Sequence, residues 1–333
     1  MEKKSRKKKG RILSGMRPSG KLHLGNYVGA LENWVSLQEE YENYHLVADW
    51  HVLTTNPHAP ETLYNESIDM VIDWIGAGLD PVRSPMFIQS HIKEHAELHL
   101  IFSMLVTVNR LERNPTVKEQ VKELNLEELM SYGHLGYPVL QAADILIYKA
   151  QLVPVGEDQV PHVELTREIA RRFNKLYGYV FPEPEVKLTI FSRLPGVDGR
   201  KMSKSYGNAI LLSDAPDTIR KTLQRAVTDP QKIRKGDPGR PEVCLIYSYH
   251  EKFNEQEKQH IAIDCRSGVL GCVECKKNAA HKLIQFLEPF RENRSRYENR
   301  RDEIIDILKD GERRAREIAQ STMEDVYKVM KFG

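Results

Sequence analysis

Two short segments carry residue types that could hold and activate a nucleoside triphosphate. The first, PSGKLHLGN at positions 18–26, is a glycine- and histidine-bearing turn that opens a helix. The second, KMSKS at positions 201–205, offers two lysines and two serines. Glycines let the backbone approach a phosphate, and the free amides and dipole at a helix start favour an anion. The alternatives are an ordinary helix cap and a solvated surface loop.

Together these segments favour attack of a carboxylate on the α-phosphate of ATP, with pyrophosphate leaving. Such a reaction depends mainly on positioning and on neutralising charge. We expect His23 to donate a hydrogen bond to phosphate oxygens. We expect Lys201 and Lys204 to follow the pyrophosphate, on a loop that flanking glycines allow to close.

The two segments resemble the nucleotide motifs of class I aminoacyl-tRNA synthetases. The sequence around these motifs is similar to that of bacterial-type tryptophanyl-tRNA synthetases, at residues 15–20, 25–27, 137–146 and 155–159. The resemblance is dense from about residue 11 to 230. It implies that ATP, with Mg²⁺, and L-tryptophan form tryptophanyl-adenylate, and that the tryptophanyl group then passes to tRNA(Trp). It also implies a homodimer.

The resemblance extends the nucleotide site beyond the two segments. Lys118, in a polar insert, matches a further triphosphate-binding lysine, with a solvated helix face as the alternative. Arg17 stands where well-known relatives have glutamine, and Leu194 matches a position that packs against adenine. Catalytic roles are expected for His23, Lys118, Lys201 and Lys204. The expected ATP-binding set is Arg17, Pro18, Ser19, His23, Gly25, Asn26, Gly156, Glu157, Asp158, Leu194, Lys201, Met202, Ser203, Lys204 and Ser205.

Asp144 predicts which amino acid is activated. It lies in an apolar helix start, where a carboxylate without a partner is costly. An indole N–H is a donor with no acceptor capacity, so one carboxylate at the end of an apolar slot selects tryptophan. A helix cap or a buried pair with Arg or Lys is the alternative. By resemblance, Tyr137 and Gln159 hold the ammonium group, Gln141 replaces a methionine of many relatives, and His51 lines the pocket.

The four cysteines are confined to one window, as Cys244, Cys265, Cys272 and Cys275 in a C-x20-C-x6-C-x2-C pattern. Four thiolates can close around zinc or a [4Fe–4S] cluster, and the spacing alone does not choose between them or exclude unligated thiols. A minority of bacterial tryptophanyl-tRNA synthetases carry a [4Fe–4S] cluster on a similar C-x22-C-x6-C-x2-C framework, so the resemblance implies a cluster. Such a metal would present Arg266, Lys276 and Lys277 to tRNA.

Strand and helix patterns alternate through the first two thirds of the chain. Strands are predicted at 11–15, 45–49, 86–89 and 153–156, with helices at 25–38, 61–75, 97–108 and 158–173. This predicts an α/β fold with a doubly wound parallel sheet, Rossmann-like, whose ligands lie beyond the carboxyl ends of the strands. The segment 114–128 is interpreted as an exposed helix or a lid. From about residue 213 onward the sequence predicts helices. The last of these has an apolar face formed by Ala315, Ile318, Thr322, Val326 and Val329.

These patterns predict three regions. Residues 1–10 are typical of a basic, disordered extension, with weak RNA contact as the alternative. Residues 11–210 are expected to form the catalytic domain and 211–333 a helical domain that carries the cysteines. The resemblance implies that this helical domain reads the anticodon of tRNA.

Composition sets the class of protein. The 333 residues are 40% hydrophobic and carry a net charge of +2, which is ordinary for a soluble globular protein. No segment is typical of a membrane span or a secretory signal, so we expect a cytoplasmic protein. RNA must then be met by local basic patches, and no DNA or membrane partner is expected. The rival functions are a tyrosine-specific relative, a plain nucleotidyltransferase, and a catalytically silent RNA- or nucleotide-binding regulator.

Overall fold

The structure, a computed structural model, describes residues 8–58, 60–123, 130–188 and 194–332. In this part of the chain five strands form one sheet in the order β3-β2-β1-β4-β5, and every adjacent pair is parallel. The predicted doubly wound parallel sheet is therefore confirmed. The strands are β1 (Arg11–Met16), β2 (Glu42–Val47), β3 (Met86–Ile88), β4 (Leu152–Val155) and β5 (Glu185–Leu188).

Helices connect the strands and then make up the rest of the chain. Those of the sheet region are α1 (Leu24–Asn26), a π-helical turn (Tyr27–Leu31), α2 (Glu32–Leu37), α3 (Asp49–Leu53), α4 (Pro60–Gly76), α5 (Glu94–Ser103), α6 (Val108–Glu112), α7 (Pro115–Glu123), α8 (Tyr132–Ile147) and α9 (Val160–Tyr177). Those that follow are α10 (Pro216–Gln224), α11 (Leu245–Phe253), α12 (Lys258–Arg266), α13 (Cys272–Glu298) and α14 (Arg301–Met330). Short 3₁₀ turns lie at Gln89–His91, Glu157–Gln159, Lys204–Tyr206 and Pro241–Val243.

Two buried apolar cores lie on opposite faces of the sheet. Successive residues of β3 alternate between them, with Phe87 in one core and Met86 and Ile88 in the other, as the two-residue period of a strand requires. Helices α8, α9 and most of α14 fill the first core, whereas α4, α10, α11 and α13 fill the second. The carboxy-terminal helices thus complete both cores of the sheet.

Helix α14 confirms the predicted terminal amphipathic face. Ala315, Thr322 and Val326 are buried, and Ile318 and Val329 pack partly against the first core. Gly311 of the same helix lies directly against β3, since a Cβ atom at this position would lie 1.9 Å from the carbonyl oxygen of Met86. Only a glycine allows the helix to approach the strand this closely.

Several element predictions were wrong in their bounds or missed an element. Strand β2 begins at Glu42 and ends at Val47, because Asp49 starts α3. The helix predicted at 97–108 is two helices, α5 and α6. Strand β5 was missed because its four residues, EVKL, are partly exposed and alternate too briefly to give a signal.

The two polar segments are only partly described. Helix α7 covers the first part of the interpreted lid, and 124–128 lie outside the described residues. Residues 1–7 of the predicted extension also lie outside them, whereas Lys8 donates from Nζ to the Gln38 carbonyl at 2.8 Å. The division at residue 210 stays a prediction. None of the described helices is long and apolar enough to cross a membrane.

Candidate active site

The turn at His23 follows β1 and begins α1, at the carboxyl edge of the sheet. His23 caps this helix: its Nδ1 accepts from the backbone N–H of Asn26 at 3.2 Å, and the Asn26 side chain accepts from the His23 N–H at 3.1 Å. Burial, reinforced by the charge of Lys204, lowers the pKa of His23 to about 4. The ring is therefore neutral at pH 7 and carries its proton on Nε2, which leaves Nε2–H as a donor.

The KMSKS loop lies directly against this turn. Lys204 donates from Nζ to the carbonyl oxygen of Lys21 at 3.0 Å and also contacts the Ser19 carbonyl. Met202 is buried beneath the turn, and the Gly25 N–H points at its sulfur at 3.3 Å. Burial lowers the pKa of Lys204. Residues separated by some 180 positions in sequence are thus one structural unit.

Asn208, which sequence reasoning missed, fixes the shape of the loop. Its Oδ1 accepts from the Ser203 N–H at 2.8 Å, and its Nδ2 donates to the Lys201 carbonyl at 3.1 Å and to Asp198 Oδ1 at 2.8 Å. Asn208 is buried, so these bonds are shielded from water. The loop is held at both ends of the Lys201–Ser203 stretch. The Lys201 side chain itself is exposed.

The other predicted nucleotide residues are placed unevenly. Pro18 and Leu194 are buried, and Leu194 lies in the same core as Met202. Lys118 is exposed on α7 and does not line the central cavity, although Gln120 of that helix does. The remaining exposed members of the set are Arg17, Ser19, Glu157, Asp158, Lys204 and Ser205.

A cavity of about 280 Å³ opens beside the turn, between β1, β4 and α8. All five residues predicted to bind the amino acid line it, together with two of the predicted ATP residues. Leu13, Leu46, Ile145 and Val153 supply apolar walls. An apolar slot with a few converging polar groups is typical of a small-molecule site. The seven predicted residues are His51, Tyr137, Gln141, Asp144 and Gln159, with Arg17 and Gly156.

Asp144 closes the cavity with a carboxylate that is almost completely buried. His51 Nε2 lies 2.9 Å from Oδ2, His95 Nδ1 lies 2.6 Å from Oδ1, and the Gln89 amide donates to both oxygens at 2.7 and 2.9 Å. Burial alone would raise the pKa of Asp144, but the hydrogen bonds from His51 and His95 outweigh it and hold the pKa below its ordinary value. The carboxylate is ionised and held by three side chains, so it is neither a helix cap nor paired with Arg or Lys. The other ring nitrogen of His95, Nε2, forms a hydrogen bond with the Tyr148 hydroxyl at 2.7 Å.

A second chain of hydrogen bonds orients Tyr137. The Thr116 N–H donates to Asn114 Oδ1 at 3.0 Å, so the Asn114 amide nitrogen faces His162 Nδ1 at 3.3 Å. Burial and the nearby His51 lower the pKa of His162 to about 4, so its single proton lies on Nε2 and is donated to the Tyr137 hydroxyl at 2.9 Å. The Tyr137 oxygen keeps one lone pair with which to accept from a cationic ligand.

The supporting residues Gln89, His95, Asn114 and His162 were all missed from the sequence. Each lies at least 25 positions from the residue it serves, on another element, so no local spacing connects them. His95 is completely buried at the start of α5, yet it is flanked in sequence by Lys93, Glu94 and Glu97, so its burial left no signal in the sequence.

The four cysteines converge on one small cavity of about 20 Å³, also lined by Lys232 and Leu270. His250 Nε2 lies 3.3 Å from the Cys275 sulfur, and burial, with the other three thiols, raises the pKa of Cys275 to about 12. Among the described residues, no group of three or more histidine, cysteine or carboxylate side chains is arranged to hold a metal ion. The cysteines are brought together, and their ligand stays a prediction.

Comparison with known proteins agrees with this geometry. The family model for tRNA synthetases class I (W and Y) matches residues 4–288. The tryptophan–tRNA ligase of Thermotoga maritima is 52% identical, over 97% of this chain and 99% of its own. That of Aquifex aeolicus is 46% identical, over 97% and 100%. A crystal structure of tryptophanyl-tRNA synthetase from Campylobacter jejuni, complexed with ADP and tryptophan, superposes with a TM-score of 0.85 at 33% identity, over 97% of this chain and 100% of that one.

The parallel sheet, the His23 turn and its lysine loop are those of a class I aminoacyl-tRNA synthetase. The chain belongs to the tryptophan and tyrosine family of that class, as a member of the bacterial tryptophan–tRNA ligases.

Proposed function

We propose that this enzyme activates L-tryptophan with ATP and transfers the tryptophanyl group to tRNA(Trp). The observation that carries the choice of amino acid is Asp144, an ionised carboxylate at the end of an apolar cavity that opens beside the His23 turn. In the first step the tryptophan carboxylate attacks the α-phosphate of ATP. A bond forms between a carboxylate oxygen and the α-phosphorus, the bond to the oxygen that bridges to the β-phosphate breaks, and pyrophosphate leaves. In the second step the terminal ribose hydroxyl of the tRNA attacks the acyl carbon, and AMP leaves.

The residues around the turn bind and orient ATP. The neutral His23 ring donates from Nε2–H to a phosphate oxygen, and the amides at the start of α1 add to the attraction. Lys204 places its charge beside the Ser19–Lys21 backbone, where the triphosphate passes, and Lys201 and Ser203 close over the leaving pyrophosphate. Mg²⁺ arrives with ATP. Lys118 is a further candidate for the triphosphate, since α7 borders the cavity through Gln120.

The walls of the cavity select tryptophan. Asp144 accepts from the indole N–H, and Tyr137 and Gln159 accept from the ammonium group, which the free lone pair of Tyr137 supports. His51 lines the cavity, whereas Gln89 and His95 lie behind Asp144. We therefore infer that the indole N–H shares or takes the position of His51 at Oδ2, while Gln89 and His95 keep the carboxylate in place. Gln141, beside Gln159 at 3.4 Å, shapes the polar end.

The helical region from 211 onward is proposed to bind the anticodon of tRNA. A cavity of about 380 Å³ between α10 and α13 is bordered by Arg220, Lys276, Lys277 and His281, a basic surface suited to phosphate. Arg266 lies at the end of α12 nearby in sequence.

A homodimer in the cytoplasm is proposed as the working form. Three exposed apolar side chains support a subunit contact: Leu100 on α5, Met104 directly after it, and Val108 at the start of α6. Sedimentation analysis should give twice the chain mass, and a monomer that is active at the same concentration would contradict it.

We propose a [4Fe–4S] cluster at Cys244, Cys265, Cys272 and Cys275, with zinc as the alternative. Four thiols bordering one cavity beside the cationic Lys232 support this donor set, although the described cysteines are not arranged around an ion. The cavity has room for about one water, so the cysteine side chains must turn outward around a cluster. A bound cluster would link the start of α11 to α12 and α13 through the four cysteine sulfurs. Anaerobically purified protein should contain about four iron atoms per chain. Protein with neither iron nor zinc in stoichiometric amount would refute the site.

ATP–pyrophosphate exchange with each amino acid supplied alone tests the function. Exchange should be driven by tryptophan and hardly at all by tyrosine or phenylalanine. Exchange driven by tyrosine would overturn the interpretation of Asp144 while keeping the reaction. Folded protein that binds ATP but exchanges with no amino acid would indicate a regulator instead.

A further inference from the structure

A buried ion pair joins the carboxy-terminal helices to the sheet region. Asp73 on α4 and Arg294 on α13 are in contact through Asp73 Oδ1, and their side chains are 0% and 5% exposed. Arg294 also donates from Nε to Glu298 at 3.1 Å. A buried pair of this kind contributes little net stability compared with apolar residues of the same size, because both charges lose their water. Its presence therefore calls for a reason other than stability.

The second carboxylate oxygen of Asp73 suggests a reason for the buried pair, because it holds the backbone next to His23. Asp73 Oδ2 accepts from the backbone N–H of Leu22 at 2.7 Å, and Leu22 directly precedes His23. On its other side the same stretch is paired with the chain that follows the KMSKS loop: the Leu212 N–H donates to the Leu22 carbonyl, and the Leu24 N–H to the Ile210 carbonyl, each at 2.9 Å. The His23 turn is thus held between a carboxylate of α4 and the 210–212 stretch.

The packing of α4 on α13 fixes this arrangement. Asp73 and Gly76 lie three residues apart on one face of α4, and Phe290 and Arg294 lie four apart on the facing side of α13. A Cβ atom at Gly76 would come within 3.1 Å of the Phe290 ring and 3.4 Å of the Arg294 Cβ. The two helices therefore approach closely at this glycine, and the guanidinium of Arg294 reaches Asp73 from a defined direction.

The charge of Asp73 depends on this neighbour. Burial raises the pKa of Asp73 to about 6, and Arg294 and the Leu22 amide oppose the rise. With Arg294 in place the carboxylate is ionised at pH 7 and accepts strongly from Leu22 N–H.

We propose that Asp73 and Arg294 are positioning residues for ATP: they fix the backbone at Leu22 and so set the direction in which His23 presents its Nε2–H. The inference rests on the ATP-binding role proposed above for the His23 turn. Neither residue lines the amino-acid cavity, and their action is through the Leu22 backbone. Small displacements of a group that orients a reacting phosphate lower the rate strongly, about 100-fold for 1 Å. The helical region thereby contributes to activation through α13, independently of tRNA.

Two substitutions of Asp73 separate its acceptor from its charge. Asp73→Ala removes the oxygen that Leu22 needs, and we expect kcat/KM for ATP in pyrophosphate exchange to fall at least about tenfold, with KM for tryptophan changed less than about twofold. Asp73→Asn keeps an acceptor oxygen and the shape of the side chain, so it should lose clearly less. Equal losses in the two variants, or equal effects on ATP and tryptophan, would overturn the inference.

Asp229 provides a control with a similar hydrogen-bond pattern. It is also a buried carboxylate paired with a guanidinium, that of Arg240, and it also accepts from backbone N–H groups, of Gln231 at 3.0 Å and Arg240 at 2.9 Å. The Arg240 side chain is 39% exposed, whereas that of Arg294 is 5% exposed, so Asp229→Ala should lower the melting temperature less than Asp73→Ala. Asp229→Ala should leave the ATP kinetics unchanged. If Asp229→Ala weakens ATP use as much as Asp73→Ala, the effect is general destabilisation and the inference is wrong.

His23→Ala distinguishes this inference from the function it rests on. If kcat/KM for ATP falls in His23→Ala but not in Asp73→Ala, only the inference about Asp73 and Arg294 is overturned. If kcat/KM for ATP is unchanged in His23→Ala, the proposed ATP-binding role of the His23 turn is wrong, and the inference that rests on it is wrong too.

Discussion

The proton of His23 is placed by one backbone hydrogen bond. Because Nδ1 accepts from Asn26 N–H, the neutral ring keeps its proton on Nε2, and the lowered pKa keeps the ring neutral well below pH 7. A neutral ring with its proton on Nε2 suits the proposed hydrogen bond to phosphate, which needs no proton transfer in the working pH range.

His23 substitutions should therefore lower the rate without changing its pH dependence. We expect His23→Ala to lower kcat/KM for ATP by about 10- to 100-fold, whereas His23→Asn, which keeps an amide donor and a helix cap, should lose less. The measurement is pyrophosphate exchange between pH 6 and 8. A limb with a pKa near 6.5 that disappears in the variants would instead make His23 an acid or base.

At this scale the sequence predicted candidate site residues and missed the residues that hold them in place. His23, Lys204 and Asp144 lie in motifs whose spacing is local. Gln89, in the 3₁₀ turn after β3, and His95, on α5, reach Asp144 from 55 and 49 positions away in sequence. Such partners are set by tertiary packing, which single-sequence patterns do not contain.

Among the described elements, α14 approaches β3 closely at one glycine, Gly311. Gly311→Ala would place a methyl group against the Met86 carbonyl, at 1.9 Å, and force the helix off β3. We expect a loss of about 2–4 kcal/mol in the free energy of unfolding, measured by urea denaturation. Gly29→Ala is the control, since a Cβ there meets nothing within 4 Å, and it should change stability by less than about 1 kcal/mol. Equal effects would contradict the close approach of α14.

The sequence predicted elements well where a long period or a motif marked them. The 30-residue α14 shows its apolar face over many turns, and β1 is marked by the turn that follows it. Strand β5 has four residues and no alternation long enough to register. The break between α5 and α6 falls in an apolar part of the sequence. The residue types there therefore did not predict where α5 ends.

For the molecule as a whole, buried histidines set its response to acid. His45 is fully buried, stacks on Trp34 with ring centroids 4.5 Å apart, and has no hydrogen-bond partner among the described residues. Burial lowers its pKa to about 3, and His23 and His162 are lowered to about 4. Between pH 6.5 and 4 the unfolded chain binds more protons at these sites, so their contribution to stability is lost as pH falls. Asp73, with a raised pKa, has the opposite sign.

Removing one of these histidines should flatten the acid response. His45→Phe keeps an aromatic ring against Trp34 and removes the titrating group. We expect the stability lost between pH 7 and 5 to be smaller in the variant than in the parent by about 2 kcal/mol. Urea denaturation at the two pH values measures it. An identical loss in both proteins would show that His45 is not excluded from protonation by folding.

The central claim is that Asp144 reads the indole N–H, and a substrate that lacks this donor tests it most directly. Pyrophosphate exchange is measured with tryptophan and with its analogue in which sulfur replaces the indole N–H, for the parent enzyme and Asp144→Asn. The parent should prefer tryptophan by about 100-fold in kcat/KM, and the variant should lose at least about tenfold of that preference while KM for ATP stays within about twofold. A preference that is unchanged in Asp144→Asn would contradict the claim.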